Sequence, residues 1–135
     1  MAARIAVIDD DADFRELMAE ALGDNGWEIL PSANPAGIYD LLRVTAPDLI
    51  VLDLRMDGRL VGWDILAFLQ LHPILHRIPV IICTAAVDQV EQRSDWLQEH
   101  GVSVLLKPFD LDDLYALVTD CLNSLQPGLS SAATA

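Results

Sequence analysis

Residues 5–17 read IAVIDDDADFREL: a short aliphatic run passes through three aspartates into a helical pattern. Four consecutive apolar residues, Ile5–Ile8, favour a strand that is buried on both faces of a sheet. After the aspartates, apolar residues recur at the spacing of one helix face: Phe14, Leu17, Met18, Ala21 and Leu22. The stretch therefore predicts a strand, an acidic loop and a helix, which together form the repeating unit of an α/β fold.

The same unit recurs along the chain. Five aliphatic runs are candidate strands: Ile5–Ile8, Trp27–Leu30, Leu49–Leu52, Val80–Cys83 and Val102–Leu106. A segment with helical periodicity follows each run, and Asn34-Pro35 is typical of a helix cap followed by the first helical residue. Five strands alternating with five helices predict a doubly wound parallel sheet over residues 1–125. Residues 126–135 consist largely of Ser, Ala, Gly and Pro and predict a disordered tail or a linker stub.

The composition of the chain is typical of a single globular domain. The chain has 135 residues, of which 53% are hydrophobic and 21% charged, as expected for one globular domain. Its net charge of −13 argues against direct contact with nucleic acid or an anionic membrane.

Cys83 and Cys121 lie in apolar patterns and are interpreted as small buried hydrophobes. Trp63 and Trp96 are interpreted as packing residues. The absence of a leader pattern or a long apolar run predicts a cytoplasmic protein.

Polar residues whose side chains can bind a ligand or react follow four of the predicted strands. Asp9 and Asp10 follow the first, Asp53 the third, Thr84 the fourth and Lys107 the fifth. The carboxyl ends of parallel strands meet at one edge of a sheet, where ligands bind. These residues are therefore expected to converge at that edge, although they span most of the sequence.

The convergence of Asp9, Asp10 and Asp53 predicts a cation site. Like charges at close range raise one another's pKa unless a cation shares the site, and hard carboxylate oxygens suit Mg2+. One acid of the run, Asp10, Asp11 or Asp13, is instead expected to cap the first helix. Lys107 is the only lysine in the chain, and it follows the last predicted strand. Its ammonium is expected to neutralise the acidic cluster.

The chain resembles the receiver domain of two-component response regulators over residues 3–125. Four segments carry the resemblance in the expected order: IAVIDDDADFREL (Ile5–Leu17), PDLIVLDLRM (Pro47–Met56), PVIICTAA (Pro79–Ala86) and LLKPFDLDDL (Leu105–Leu114). The resemblance implies a flavodoxin-like sheet of strand order 2-1-3-4-5. It also implies a signalling switch, rather than an enzyme acting on separate substrates, that promotes its own phosphorylation and dephosphorylation.

The resemblance also implies roles for individual residues. Asp53 would be the phosphoacceptor, and Thr84 and Lys107 would bind the phosphoryl group. The implied Mg2+ ligands are Asp9, Asp10, Asp53 and the backbone carbonyl of Arg55. The Lys107–Pro108 peptide bond is expected to be cis.

The implied partners are proteins. A histidine kinase or a histidine phosphotransfer protein would donate the phosphoryl group, and a downstream effector protein would receive the signal. A homodimer through the fourth helix, fifth strand and fifth helix is left open.

Two positions depart from the family pattern. The loop after Asp53 runs through residues 56–62 without the usual proline and with one residue more. Val104 stands where the family usually has an aromatic residue, so the aromatic side-chain flip that reports phosphorylation cannot occur there.

Two alternative functions are an enzyme and an adaptor protein. A Mg2+-dependent phosphohydrolase with an aspartate nucleophile usually has a second aspartate two residues later, where this chain has Arg55. An adaptor that works without phosphorylation would use the same fold, although degenerate receivers typically lose site residues that this chain keeps.

Overall fold

The computed structural model describes residues 2–33 and 35–124. Five parallel strands form one sheet in the order β2-β1-β3-β4-β5. The strands are β1 (Arg4–Ile8), β2 (Glu28–Ser32), β3 (Leu49–Leu52), β4 (Val80–Thr84) and β5 (Ser103–Leu106). This arrangement confirms the predicted doubly wound sheet and its strand order. The cap predicted at Asn34 and the tail predicted for residues 126–135 lie outside the described residues.

Helices cover the sequence between the strands and after the last one. They are α1 (Ala12–Gly23), α2 (Pro35–Thr45), α3 (Val61–Leu71), α4 (Val87–Gln92), α5 (Ser94–Glu99) and α6 (Leu111–Ser124), with a 3-10 turn at Leu75–Arg77. Five helices were predicted, and the difference arises because the fourth is interrupted at Arg93, which has φ −121° and ψ 21°. No residue of α4 is buried and Val90 packs against the core only partly buried, so α4 is held to the core more weakly than α5, which buries Leu97. Within the described ranges, no helix combines the length and apolar character that a membrane span requires.

The sheet is buried on both faces because its strand residues alternate between two cores. On one face, Ile5, Val7 and their neighbours pack against α1 and α6. On the other face, Ala6 and Ile8 belong to a core that includes residues of α2, α3 and α5. Cys83 and Cys121 are both buried in the first core, as the sequence predicted. The continuous aliphatic runs thus reflect a sheet that is covered by helices on both sides.

Gly62 allows α3 to approach the end of β3 very closely. A Cβ atom at this position would lie 2.5 Å from Leu54 Cα and 2.6 Å from the carbonyl oxygen of Asp53. The Gly62 N–H donates to the Leu54 carbonyl at 2.9 Å, which ties the helix start to the segment after β3. Because both close neighbours are backbone atoms, a side chain here requires the backbone that carries Asp53 to move.

We therefore predict that Gly62→Ala destabilises the fold by about 1–3 kcal/mol, the usual effect of overpacking a tight site. The matched control is Gly23→Ala, because Gly23 ends α1 and a Cβ atom there meets nothing within 4 Å. Urea unfolding of the two variants measures the difference. Equal stability of Gly62→Ala and Gly23→Ala would show that the close approach at Gly62 is not required.

Candidate functional site

The carboxyl edge of the sheet brings together the side chains that the sequence placed there. Asp9 directly follows β1 and Asp53 directly follows β3, and these strands are neighbours with Ile8 paired to Leu52. The Asp53 N–H donates to the Ile8 carbonyl at 3.0 Å, so the ladder extends to Asp53 itself. On the other side, the Lys107 N–H donates to the Thr84 carbonyl at 2.9 Å. Backbone pairing therefore sets the relative positions of all four residues.

Three carboxylates meet at this edge. Asp9, Asp10 and Asp53 each offer an oxygen, and the three atoms lie within 4.8 Å of one another. Asp9 is buried, Asp53 is half-buried and Asp10 is exposed, so the cluster extends from the core to the solvent. The run after β1 also caps α1, because the Asp11 carboxylate accepts the N–H groups of Asp13 and Phe14. Of the candidates for this cap, Asp11 fills the role, and Asp10 remains in the cluster.

Lys107 neutralises part of this cluster. Its Nζ lies 2.7 Å from Asp9 Oδ2 and 3.3 Å from Asp53 Oδ2, and its side chain is only 22% exposed. Three further oxygens of the cluster accept backbone N–H groups: Asp9 Oδ1 from Asp11, Asp10 Oδ2 from Asp57 and Asp53 Oδ1 from Arg55. The Lys107–Pro108 peptide bond is cis, as expected. One ammonium thus balances at most one of the three carboxylate charges.

Burial dominates the electrostatics of the innermost pair. Burial raises the pKa of Asp9, and the hydrogen bonds from Lys107 and from the Asp11 N–H oppose this effect without cancelling it. Burial by itself would lower the pKa of Lys107, but the hydrogen bond to Asp9 and the charge of Asp53 outweigh it, so that pKa is raised. The ammonium is therefore held charged, whereas the buried carboxylate lacks sufficient counter-charge.

The residues of the cluster fit Mg2+. Opposite ligands of octahedral Mg2+ lie roughly 4.2 Å apart, and Mg2+ usually keeps several waters beside one or two carboxylates. The oxygens of Asp9, Asp10 and Asp53 lie within 4.8 Å of one another, and a group of carboxylate oxygens is the donor set that Mg2+ takes. The exposure of Asp10 leaves room for the retained waters. The uncompensated negative charge and the hard oxygen donors both favour a divalent cation here.

An open cavity of about 670 Å³ lies over the cluster. Its lining includes Asp10 and Asp53, the cation Lys107, and residues 84–89, which run from the end of β4 into the first turn of α4. Thr84 is buried, and its Oγ1 accepts the Ala86 N–H at 3.1 Å, so its hydroxyl hydrogen can be donated elsewhere. Burial raises the pKa of Cys83 to about 12, so this thiol beneath the site stays protonated and is a poor nucleophile. Asp53 is the half-buried carboxylate that opens into the cavity.

Two contacts at the cavity were missed by the sequence analysis. The backbone of Asp57 donates to Asp10 from a tight turn, in which Met56 and Arg59 pair and Asp57 and Gly58 have positive φ of 53° and 72°. The Asp57-Gly58 dipeptide is a signal for such a turn. Trp63, interpreted as a packing residue, donates its indole N–H to Gln89. No sequence pattern indicates this second contact, since it depends on how α3 meets α4.

The chain is similar to known proteins of one family. Residues 5–119 match the response regulator receiver domain family. The chain is 35% identical over 124 residues to the DNA-binding transcriptional regulator NtrC of Escherichia coli, covering 89% of this chain and 25% of NtrC. It is 32% identical over 127 residues to the response regulator MprA of Mycobacterium sp., covering 94% of this chain and 54% of MprA. The chain thus spans between a quarter and about half of the length of these relatives.

A solved structure agrees with these matches. The crystal structure of NtrX from Brucella abortus superposes with a TM-score of 0.80 at 26% identity, covering 100% of this chain and 30% of that one. The residues that match the family model include all five strands from Ile5 onward and the three aspartates of the acidic cluster.

We predict that Mg2+ stabilises the fold, because the cluster lacks positive charge. At a tenfold excess over Kd, the ion should raise the free energy of unfolding by about 1.4 kcal/mol. Asp10→Asn should weaken the gain, whereas Asp120→Asn, an exposed change on α6, should leave it intact. Thermal unfolding across a Mg2+ titration measures the effect. A melting temperature that saturating Mg2+ does not change would contradict a metal site.

We also predict a pH dependence that belongs to Asp9. Because its pKa is raised above the ordinary 3.8, the folded state binds the proton more tightly than the unfolded state. The contribution of Asp9 to stability should therefore fall as pH rises above 3.8. The measurement is the difference in unfolding free energy between wild type and Asp9→Asn, without metal, from pH 4 upward. A difference that is flat or rises with pH would show that burial does not control this carboxylate.

Proposed function

The chain belongs to the response regulator receiver domain family, and on that basis we propose that it is a switch set by a phosphoryl group on Asp53. The observation that carries this proposal is the position of Asp53. Asp53 directly follows β3. Its carboxylate lies within reach of two further aspartates and one lysine, and it opens into a cavity. A phosphorylated carboxylate needs this combination of access and positive charge.

The proposed reaction is transfer from a phosphohistidine of a histidine kinase or a histidine phosphotransfer protein. A carboxylate oxygen of Asp53 attacks phosphorus, the P–N bond breaks, and its electron pair leaves with the imidazole. Mg2+, held by Asp9, Asp10, Asp53 and the carbonyl of Arg55, would supply positive charge to the transferring group. The chain itself contributes position, since backbone pairing sets the directions of Asp53 and Lys107 before the donor arrives.

Lys107 and Thr84 are proposed to recognise the product. The ammonium, now shared between Asp9 and Asp53, would follow the charge onto a phosphoryl oxygen. The Thr84 hydroxyl would donate to another oxygen, and the loop at residues 85–86, which joins β4 to α4, would shift with it. Such a shift biases a two-state equilibrium and alters the surface formed by α4, β5 and α6. The signal would then pass to an effector protein, with a homodimer through this surface as one further outcome.

A protein partner agrees with the charge of the chain. With a net charge of −13, direct binding to DNA phosphates would be opposed by repulsion. The name of the NtrC relative describes DNA binding by that protein, of which this chain covers 25%.

We assign to this chain the role of a cytoplasmic regulatory domain that promotes its own phosphorylation and dephosphorylation. The phosphohydrolase alternative lacks support, since Arg55 stands where its second acid would be.

We predict that acetyl phosphate with Mg2+ adds one phosphoryl group to the protein, visible as intact mass. Asp53→Asn should take no label, because the amide cannot act as the nucleophile. Asp57→Asn is the control, since Asp57 contacts the site only through its backbone N–H and Asn tolerates its positive φ. If Asp53→Asn is labelled as fully as wild type, the acceptor is another residue.

We further predict that the phosphoryl group is long-lived. Arg55 and Ala86 line the cavity beside Asp53. The methyl group of Ala86 cannot orient a water, and the exposed Arg55 can lie over the phosphoryl oxygens. Loss of water orientation worth about 1.4 kcal/mol would slow hydrolysis roughly tenfold. The double variant Arg55→Asn/Ala86→Glu should therefore lose its label faster than wild type, and an equal or slower decay would refute this reasoning.

A further inference from the structure

An aromatic ring lies against the site cation. Lys107 Nζ is 4.0 Å from the centroid of the Phe14 ring, a distance typical of a cation–π contact. Phe14 lies in the first turn of α1 and is half-buried. By sequence pattern, Phe14 is one of the apolar residues on the buried face of α1. The contact places it directly beside the group that binds Asp9 and Asp53.

The ring is held from two directions. The Asp11 carboxylate accepts the Phe14 N–H at 3.4 Å, which anchors the backbone of Phe14 at the start of α1. The Phe109 ring meets it edge-on, with centroids 6.1 Å apart and planes at 85°. Phe109 follows Lys107 by two residues, so the loop that carries the lysine also packs against this ring. The relative position of ring and ammonium is therefore fixed by packing as well as by attraction.

The geometry suits a cation that must change partners. A lysine ammonium has three donors on a flexible four-carbon stem, and two of them are directed at Asp9 and Asp53 here. A ring face attracts the cation without offering an oxygen, so it cannot compete with a phosphoryl group. A third carboxylate in this place would hold the lysine too strongly. The Phe14 ring instead limits where the ammonium can move while leaving its donors free to turn.

We propose that Phe14 is a positioning residue that keeps the Lys107 ammonium aimed at the phosphoryl position above Asp53. The inference rests on the proposed function for the identity of the group that Lys107 meets. Phe14 itself touches no reacting atom and acts through the lysine alone.

The first test is the rate of labelling by acetyl phosphate and Mg2+. Phe14→Leu keeps an apolar side chain but removes the ring, and should slow labelling roughly threefold to tenfold. Phe14→Tyr keeps the ring and should restore most of the rate. Phe68→Leu is the matched control, because Phe68 on α3 packs against Tyr39 of α2 and against His72, the residue after α3. In a Lys107→Ala background, Phe14→Leu should slow the residual labelling no further.

The second test observes the lysine directly. Because the chain has one lysine, selective labelling gives a single lysine spectrum. The ε-methylene protons should be shifted upfield by the ring in wild type and in Phe14→Tyr, and should return toward ordinary values in Phe14→Leu. Phe68→Leu should keep the wild-type shift.

Unchanged labelling in Phe14→Leu, or an equal loss with and without Lys107, overturns the inference. If wild type itself takes no phosphoryl group, the proposed function fails instead. The ε-proton comparison then decides whether Phe14 holds the ammonium, and an unchanged shift in Phe14→Leu rejects it.

Discussion

The ion pairs of Lys107 with Asp9 and Asp53 are the interaction on which the site depends. Asp9 is almost fully buried, and such a charge is tolerated only when it is paired. A single ammonium cannot balance three carboxylates, so the cluster is arranged around a deficit of positive charge. That deficit favours a divalent cation at the site, and in the proposed function the ammonium follows the charge onto a newly arrived phosphoryl group.

The parallel sheet converts distant sequence positions into one site. β1, β3 and β4 are adjacent, so residues at their carboxyl ends are neighbours although they are separated widely along the chain. The two cores make the strands rigid, and Gly62 lets α3 come close behind Asp53. The loop at residues 85–86 and the helix α4 that follows it line the cavity, and no residue of α4 is buried, so this segment is held less firmly than the strands. Rigid strands with a movable loop are what a two-state switch requires.

Sequence patterns could predict the strands and the strand-end residues, because aliphatic runs and parallel topology depend on few variables. They could not predict the interruption at Arg93, where helical periodicity continues although no residue of α4 is buried. The contact from Asp57 to Asp10 was also missed, since it is made by backbone in a specific turn. Phe14 was recognised only as part of an apolar face. Which member of that face meets Lys107 is decided by the packing of α1 against the last loop.

The most direct measurement of the central claim is chemical mapping of the acyl phosphate. Protein labelled with acetyl phosphate and Mg2+ is reduced with borohydride, which converts a phosphorylated aspartate to homoserine, and is then sequenced by mass spectrometry. Homoserine at position 53 alone is the predicted result, because Asp53 is the half-buried carboxylate that opens into the cavity beside Lys107. Homoserine at Asp9 or Asp10, or an unmodified Asp53 in labelled protein, would contradict the account.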